Sequence, residues 1–199
     1  MLLNSEKLDP RVIRTRRDLV GSMCTLMREK PFNKISVQDI TEEAIINRAT
    51  FYAHFEDKYA LLEYLVLASF EQKLNSRIRP HLGFTPENLR FLTLTTCEFL
   101  EEFNDRHSPR QGGDIPPIER MVQPHIYKLL LSWIEESDQS KPEGQLKESS
   151  CGSPEVIALV TSWSIFGPAL EWSYVLRNAS AEVRTDQIMT FLTHGITDF

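Results

Sequence analysis

The chain has 199 residues, which is enough for a small domain joined to a larger one. Its composition, 41% hydrophobic and 25% charged, is that of an ordinary globular protein and excludes disordered and collagen-like chains. The net charge of -6 argues against a protein whose whole surface binds nucleic acid or anionic membrane, because such binding requires a positive field.

The charge is divided unevenly along the chain. Residues 1–60 contain ten Lys and Arg against nine Asp and Glu, a net charge of +1. The remaining residues contain twelve against nineteen, a net charge of -7. Only the N-terminal part is therefore electrostatically suited to contact with phosphate.

The three cysteines, Cys24, Cys97 and Cys151, lie far apart and show none of the paired spacings of metal sites or redox motifs. We expect no metal, no cofactor and a reducing cytoplasm. The opening residues hold no apolar stretch that would serve as a signal peptide, and no segment approaches the roughly 18 apolar residues of a membrane span. The sequence thus predicts a cytoplasmic protein without a membrane partner.

Four helices are predicted in the N-terminal part. Apolar residues recur at helical spacing in the first, which Pro31 ends. Ser36, with Asp39 three residues later, is close to a capping box, while Asn47 and Asp57 are suited to cap the next two helices. The predicted helices cover residues 11–29, 36–44, 48–55 and 58–77.

Four more helices are predicted in the rest of the chain. Thr85 followed by Pro86 is a cap with proline in the first turn, and Ser180 caps the last helix. Residues 104–117 and 137–153 have the Pro, Gly, Ser and charge content of loops. The predicted helices cover residues 86–103, 119–136, 154–178 and 180–199.

Two prolines fall inside these helices. We expect Pro124 to interrupt the first half of its helix, and we interpret Pro168 as a tolerated kink rather than a hinge or pocket wall. No Asn-Gly or Asp-Gly hairpin and no sustained apolar alternation supports a sheet. The sequence therefore predicts an all-α fold.

The most specific pattern lies between Phe32 and Leu62, in FNKISVQDITEEAIINRATFYAHFEDKYALL. It contains a threonine, two aromatics, a histidine, a third aromatic and a lysine in the order Thr50, Phe51, Tyr52, His54, Phe55 and Lys58. This pattern resembles the DNA-binding domain of TetR-family transcriptional regulators. The resemblance implies a three-helix helix-turn-helix domain at residues 1–60 and a helical regulatory and dimerisation domain at residues 61–199.

The candidate DNA-reading residues lie at the start of the third helix. A recognition helix that enters the major groove needs short polar or small side chains at its N-terminal end, as at Asn47, Arg48, Ala49 and Thr50. Arg48 is suited to a bidentate pair with guanine, Ala49 to a thymine methyl group, and Gln38 to an adenine or a phosphate.

The resemblance assigns Gln38, Arg48 and Ala49 to bases and most of the other matching residues to the DNA backbone. The expected DNA-binding set is Ser36, Gln38, Asn47, Arg48, Ala49, Thr50, Tyr52, His54 and Lys58. His54 is equally open to a packed, hydrogen-bonded role in the core. The arginines Arg11, Arg14, Arg16 and Arg17 are suited to contact phosphate or the minor groove, or to form only a solvated helix face. Phe51 and Phe55 are expected in the core.

One residue departs from the family pattern. Members of the family usually have glycine, with a positive φ, at the turn between the two helices, where this chain has Ile45. A β-branched residue in that conformation is strained by about 1 to 2 kcal/mol. The alternative is that the turn is altered, which would change the angle of the recognition helix.

The C-terminal part resembles the family less specifically. Its last two helices, residues 154–178 and 180–199, carry more apolar residues than one core face needs, so we expect a homodimer through them. A small apolar effector would fit between helices of the bundle. The candidate pocket residues are Met121, Tyr127, Trp133, Trp163, Phe166 and Trp172, each of which is also suited to a plain core position.

Two other classes of protein are alternatives to a DNA-binding regulator. An enzyme would need a nucleophile elbow, a phosphate-binding glycine loop or clustered metal ligands, and the sequence contains none of these patterns. A helical interaction module that has lost DNA binding is favoured by Ile45 and the acidic balance. The main prediction is a transcriptional repressor that binds an inverted-repeat operator in double-stranded DNA as a homodimer.

Overall fold

The computed structural model describes residues 9–76, 83–106, 118–139, 152–174 and 179–195. These residues form eight α-helices, a one-turn 3-10 helix at Phe32–Lys34 and no strand. The helices are α1 (Pro10–Glu29), α2 (Val37–Glu43), α3 (Arg48–Tyr52), α4 (Lys58–Asn75), α5 (Pro86–Arg106), α6 (Glu119–Gln139), α7 (Pro154–Tyr174) and α8 (Ala181–His194). The predicted all-α class is confirmed.

The chain divides into two compact units. The first extends to Ala68 and contains α1, α2, α3 and the first part of α4, whereas the second begins at Ser69 and contains the rest of α4 with α5 to α8. The predicted domains, residues 1–60 and 61–199, also divide the chain within α4. None of the described helices is both long enough and apolar enough to cross a membrane.

The first unit is held together by an apolar core. Helix α2 packs against both α1 and α3. The buried side chains include Leu19, Met23, Leu26, Phe32, Ile35, Ile40, Phe51, Phe55, Leu61, Leu62 and Val66. The ring centroids of Phe51 and Phe55 lie 6.1 Å apart, so both rings occupy the core as expected. Because α3 has only five residues and cannot be stable alone, this packing is what holds it in place.

Helix α3 is shorter than predicted, because it ends at Tyr52 and not at Phe55. The amide of His54 donates to the carbonyl oxygen of Phe51 at 2.9 Å, a tight turn that closes the helix. The chain must then reach Asp57, whose carboxylate caps α4. Helix α4 in turn ends at Asn75, two residues before its predicted end.

The second unit is a bundle in which α7 packs against α5, α6 and α8, and α5 also packs against α8. Its core includes Phe70, Leu92, Leu100, Val122, Ile126, Leu130, Ile165, Phe166, Ala169, Trp172 and Ile188. Ion pairs link neighbouring helices among the described residues of this unit. Lys73 Nζ lies 3.2 Å from Glu98 Oε2 between α4 and α5, and Arg90 Nη2 lies 2.6 Å from Asp186 Oδ1 between α5 and α8.

The predicted loop at residues 104–117 begins too early. Helix α5 continues to Arg106, and the buried Asn104 donates from Nδ2 to Ser173 Oγ on α7 at 2.6 Å. This contact anchors the last turn of α5 to the bundle. Residues 107–117 lie outside the described residues.

The prediction that Pro124 interrupts its helix is wrong, since α6 runs unbroken to Gln139. Pro124 is exposed near the helix start, so its ring meets solvent and its missing amide costs one hydrogen bond. Residues 137–139 of the second predicted loop are therefore helical, while residues 140–151 are outside the described part of the chain.

The last two helices differ from their predicted ends. Helix α7 continues through Pro168 to Tyr174, and its expected extension over residues 175–178 is not among the described residues. Helix α8 ends at His194 rather than near Phe199, because Gly195 leaves the helix with a φ of 69°.

Candidate nucleic-acid interface

The start of α2 is fixed by a complete capping box. Ser36 Oγ accepts from the amide of Asp39 at 3.1 Å, and the amide of Ser36 donates to Asp39 Oδ2 at 2.7 Å. Lys30 Nζ lies 2.9 Å from the other carboxylate oxygen. The hydrogen bonds from Ser36, followed by that from Lys30, lower the pKa of Asp39 to about 2. The predicted DNA contact at Ser36 is therefore a hydroxyl that already serves the cap.

The turn between α2 and α3 retains the geometry that favours glycine. Ile45 has a φ of 55°, and no other non-glycine residue in the described ranges has a positive φ. The amide of Ile46 donates to Thr41 O at 3.0 Å and that of Ile45 donates to Glu42 O at 3.2 Å, which is the Schellman pattern. The turn is therefore not altered, and one of the two arguments for an interaction module without DNA binding is removed.

Helix α3 presents its N-terminal end to solvent. Asn47 caps it, because its Oδ1 accepts from the amide of Thr50 at 2.8 Å and from the Thr50 hydroxyl at 3.0 Å. Asn47, Arg48 and Ala49 are exposed and Thr50 is half-buried. Phe51, fully buried directly after them, turns the opposite side of the helix to the core. The predicted reading edge is thus a capped, exposed surface.

Two of the predicted base readers contact each other. Arg48 Nη2 donates to Gln38 Oε1 at 3.0 Å, which links α3 to α2. Gln38 Nε2 donates in turn to Glu42 Oε1 at 2.8 Å. The result is a chain of three exposed side chains, Glu42, Gln38 and Arg48, along the surface that both helices share.

Two further members of the predicted set flank this edge. Tyr52 is exposed, with 57% of its surface accessible. His54 is half-buried, and burial, followed by the charge of Arg16, lowers the pKa of His54. A neutral imidazole can donate one hydrogen bond to a phosphate but brings no charge to it. The phosphate role of His54 stays a prediction in this weaker form.

The predicted backbone contact at Lys58 has a different environment from the one expected. Its ammonium donates to the carbonyl oxygens of Phe32 at 3.1 Å, Asn33 at 3.4 Å and Ile35 at 2.7 Å. It also lies 4.7 Å from the centre of the Phe32 ring. Since an ammonium has three hydrogens, its donors are occupied inside the first unit. Lys58 therefore secures the segment before α2.

The arginines of α1 fall into two kinds. Arg16 Cζ lies 5.9 Å from the ring centre of Phe55 and 5.5 Å from that of Tyr64, so its guanidinium packs on aromatic side chains. Arg14 and Arg17 are exposed beside Asp18, at 3.9 and 3.7 Å. Arg11 is exposed as well. Contact of these three exposed arginines with phosphate stays a prediction.

Sequence reasoning missed Glu42, which belongs to the exposed chain of side chains on α2. Its spacing of four residues from Gln38 is the spacing of side-chain pairs on a helix, so the sequence did contain a signal. The contact between Gln38 and Arg48 had no such signal, because it depends on the angle between two helices.

The six candidate pocket residues do not form one lining. Met121, Trp133, Phe166 and Trp172 are buried in the core of the second unit, and Tyr127 is half-buried. Trp163 is 49% exposed instead. It lines a surface groove of about 660 Å³ together with Leu159, Val160, Ser164, Pro168 and Phe191. No group of three His, Cys, Asp or Glu within the described ranges is placed to hold a metal ion.

The first unit matches a known family of proteins. Residues 24–65 match the family described as bacterial regulatory proteins, tetR family. A curated relative, the uncharacterized HTH-type transcriptional regulator YxbF of Bacillus subtilis (strain 168), is 37% identical over 65 residues. That match covers 32% of this chain and 17% of the relative's length, so the likeness concerns one domain.

Solved structures are similar over almost the whole chain. The dihydroxyacetone kinase operon activator DhaS has a TM-score of 0.58 at 21% identity, with 94% of this chain and 98% of that chain covered. A TetR-like transcriptional regulator from Rhodococcus sp. RHA1 has a TM-score of 0.50 at 13% identity, with 93% and 97% covered. At these identities the similarity establishes the fold.

Proposed function

Through residues 24–65 the chain belongs to the tetR family of bacterial regulatory proteins, and on that premise we propose that it binds an inverted-repeat operator as a homodimer. The observation that carries the proposal is the exposed, capped N-terminal end of α3, with Asn47, Arg48 and Ala49 accessible to the major groove. The first unit supplies one such reading edge per subunit.

The side chains divide between bases and backbone. Arg48 donates to the O6 and N7 atoms of guanine, and Ala49 contacts a thymine methyl group. Thr50, Tyr52 and His54 contact phosphates and set the register of the helix on the duplex. Ser36 and Asn47 act first as caps, whose exposed side chains lie at the edge of the same surface.

The dimer forms through α7 and α8. Their exposed apolar and aromatic side chains are Val156, Leu159, Val160, Trp163, Tyr174, Val183 and Phe191, and a surface groove lies between Val160 and Phe191. An exposed apolar surface of this kind favours association, because burial removes it from water. A two-fold interface would place two α3 helices for two half-sites.

A small apolar effector would bind within the second unit and change the affinity for DNA. Met121, Trp133, Phe166 and Trp172 line the core there, so such a ligand must displace packed side chains. Thermal unfolding with candidate hydrophobic metabolites measures this binding, since a ligand of the folded state raises the midpoint.

Repression follows when an occupied operator overlaps a promoter. The structural neighbour DhaS is named as an operon activator, so the sign of regulation needs its own measurement. A promoter reporter with and without the chain gives it directly. Lower expression with the chain present supports repression, and higher expression supports activation.

The proposal is tested by binding-site selection from random duplexes, followed by a salt titration on the enriched sequence. We expect an inverted repeat whose half-sites are centred about 34 to 36 Å apart, or a little more if the two reading helices are splayed. Affinity should fall steeply as salt rises, because bound phosphates release counterions. Failure to enrich any sequence would count against operator binding.

A further inference from the structure

In the exposed chain of Glu42, Gln38 and Arg48, the two end residues fix the direction of the hydrogen bonds. Arg48 only donates hydrogen bonds, and an ionised Glu42 only accepts them. Gln38 lies between them, with its carbonyl oxygen 3.0 Å from Arg48 and its amide nitrogen 2.8 Å from Glu42. Rotating the amide by half a turn would place a donor against the guanidinium and an oxygen against the carboxylate. Glu42 and Arg48 together therefore determine the orientation of the Gln38 amide.

This orientation restricts the geometry in which Gln38 can contact an adenine. A glutamine that recognises adenine uses its amide nitrogen and its carbonyl oxygen together. Each group of Gln38 already makes one hydrogen bond to a neighbour, which leaves one hydrogen on the nitrogen and one lone pair on the oxygen. Contact of Gln38 with an adenine or a phosphate stays a prediction, and the two hydrogen bonds add a role in which Gln38 holds Arg48.

Arg48 keeps the donors that it needs. A guanidinium carries five N–H groups, and the bond to Gln38 uses one of them. The remaining groups include the pair required for guanine O6 and N7. Because Gln38 lies on α2, its hydrogen bond favours one orientation of the Arg48 guanidinium, so part of the side-chain freedom is already restricted when DNA binds.

The negative charge of Glu42 affects DNA affinity and sequence specificity in opposite directions. A carboxylate on this surface repels phosphates of any sequence, so it weakens all binding equally. The three side chains are exposed in the free protein, where such hydrogen bonds contribute little. These hydrogen bonds strengthen once DNA excludes water from them. They then favour binding most where a guanine accepts from Arg48.

We propose that Glu42 is a specificity-determining residue, which positions Arg48 for guanine through Gln38. The inference rests on the proposed operator binding by α3 and adds a residue from α2 to it. Glu42 would lower the affinity for every DNA sequence while raising the preference for guanine at one position of each half-site.

The test uses the full chain and the duplex that the wild type enriches from a random library. Discrimination is the affinity for this duplex divided by that for a duplex in which the Arg48-dependent G·C pair of each half-site is replaced by A·T. Glu42→Ala should lower the discrimination about fivefold or more, as expected for loss of a charge-assisted hydrogen bond. Glu42→Gln keeps an acceptor but permits the Gln38 amide to rotate. Its discrimination should lie between that of the wild type and that of Glu42→Ala.

Glu43 provides a matched control, because it is the neighbouring residue on α2 and is exposed too. Glu43→Ala removes the same charge and should leave the discrimination within about twofold of the wild type. Both alanine variants should bind random-sequence DNA more tightly, since each removes one negative charge. Urea midpoints equal to the wild type establish that the variants are folded.

A double variant distinguishes a connected chain from two separate effects. If Glu42 acts only through Gln38, combining Glu42→Ala with Gln38→Ala should lower the discrimination no further than Gln38→Ala alone. Unchanged discrimination in Glu42→Ala, an equal loss in Glu43→Ala, or a selected site without guanine at the Arg48-dependent position would overturn the inference while operator binding stands. If the wild type enriches no sequence, operator binding itself fails and the inference with it.

Discussion

The ammonium of Lys58 lies 2.7 Å from the carbonyl oxygen of Ile35 and also donates to the carbonyls of Phe32 and Asn33. Lys58→Met keeps the aliphatic stem and removes this donor from all three carbonyls, of which that of Phe32 still accepts from the amide of Ile35 at 3.1 Å. We expect the free energy of unfolding in urea to fall by about 1 to 3 kcal/mol, the cost of leaving partly buried polar groups unpaired. Lys34→Met, a change of the same kind at an exposed lysine, should have little effect.

The resemblance implied that Lys58 contacts a phosphate, whereas its hydrogen bonds hold the segment before α2. These two roles predict different effects of salt on DNA binding when Lys58 is replaced. A lysine on phosphate would weaken binding to all sequences and reduce the magnitude of the salt slope by about one unit per subunit on mutation. Unchanged stability of Lys58→Met together with such a reduced slope would contradict the positioning role.

The strained turn predicts a substitution that does not destabilise the protein. Ile45 has a φ of 55° and is 92% exposed, so Ile45→Gly relieves strain and gives up almost no burial. The relief of about 1 to 2 kcal/mol outweighs or balances the larger unfolded-state entropy of glycine. Urea unfolding should show equal or higher stability.

Ile45→Ala is the control, because alanine removes the exposed branch and keeps the Cβ atom that causes the strain. It should gain less than glycine does. A clear loss of stability in Ile45→Gly would mean that Ile45 has an ordinary negative φ and is packed in the folded protein.

The capping box of α2 predicts a dependence on acid. Hydrogen bonds from Ser36 and Lys30 lower the pKa of Asp39 from 3.8 to about 2. A carboxyl whose pKa is lower in the folded state stabilises the fold above 3.8, and that contribution is lost as the pH falls toward 2. Asp39→Asn should therefore lose less stability than the wild type between pH 5 and about pH 3, as measured by urea unfolding.

The Asp39 carboxyl can also be titrated directly by NMR. Lys30→Met removes the hydrogen bond from Lys30 to the carboxylate, which helps to lower the pKa. The pKa of Asp39 should therefore rise toward its usual value. An Asp39 pKa that is ordinary in the wild type would show that the capping box does not hold in solution.

The apolar face of α7 and α8 predicts a dimer that charge can separate. Phe191 is 45% exposed and lines the same groove as Val160. Phe191→Glu or Val160→Glu would place a carboxylate in a buried interface, where it lacks a partner, and should shift the mass to a monomer at micromolar concentration. Analytical ultracentrifugation measures this mass.

Leu192, half-buried on the same helix, offers a further position for the same test, since Leu192→Glu should also weaken the dimer. Thr193→Glu is the control, because Thr193 is exposed on a different side of α8 from Phe191. A dimer that persists in Phe191→Glu and Val160→Glu would remove this groove from the interface.

The features predictable from the sequence are those that depend on neighbouring residues. The caps at Ser36, Asn47 and Asp57 follow from a side-chain oxygen placed before a few free amides, so their helix starts were predicted correctly. The positive φ at Ile45 could be anticipated only as one of two alternatives, because the family pattern and the residue type favour opposite conformations.

Contacts between distant residues were not predictable in the same way. Lys58 reaches carbonyls 23 to 26 residues earlier, and lysine near DNA is more readily assigned to phosphate. Arg48 and Gln38 meet because two helices cross at one angle, which no local pattern encodes. The unbroken α6 shows the same limit, because tolerance of Pro124 depends on its exposure in the folded chain.

If the exposed end of α3 reads DNA bases, Arg48→Ala should remove part of the sequence preference. Binding-site selection and affinity measurements with this variant should show the loss of preference at one position in each half-site, at a cost of about 1 to 3 kcal/mol per contact. Preference at the other positions should remain. An Arg48→Ala protein that keeps the complete wild-type preference and loses only overall affinity would contradict the account.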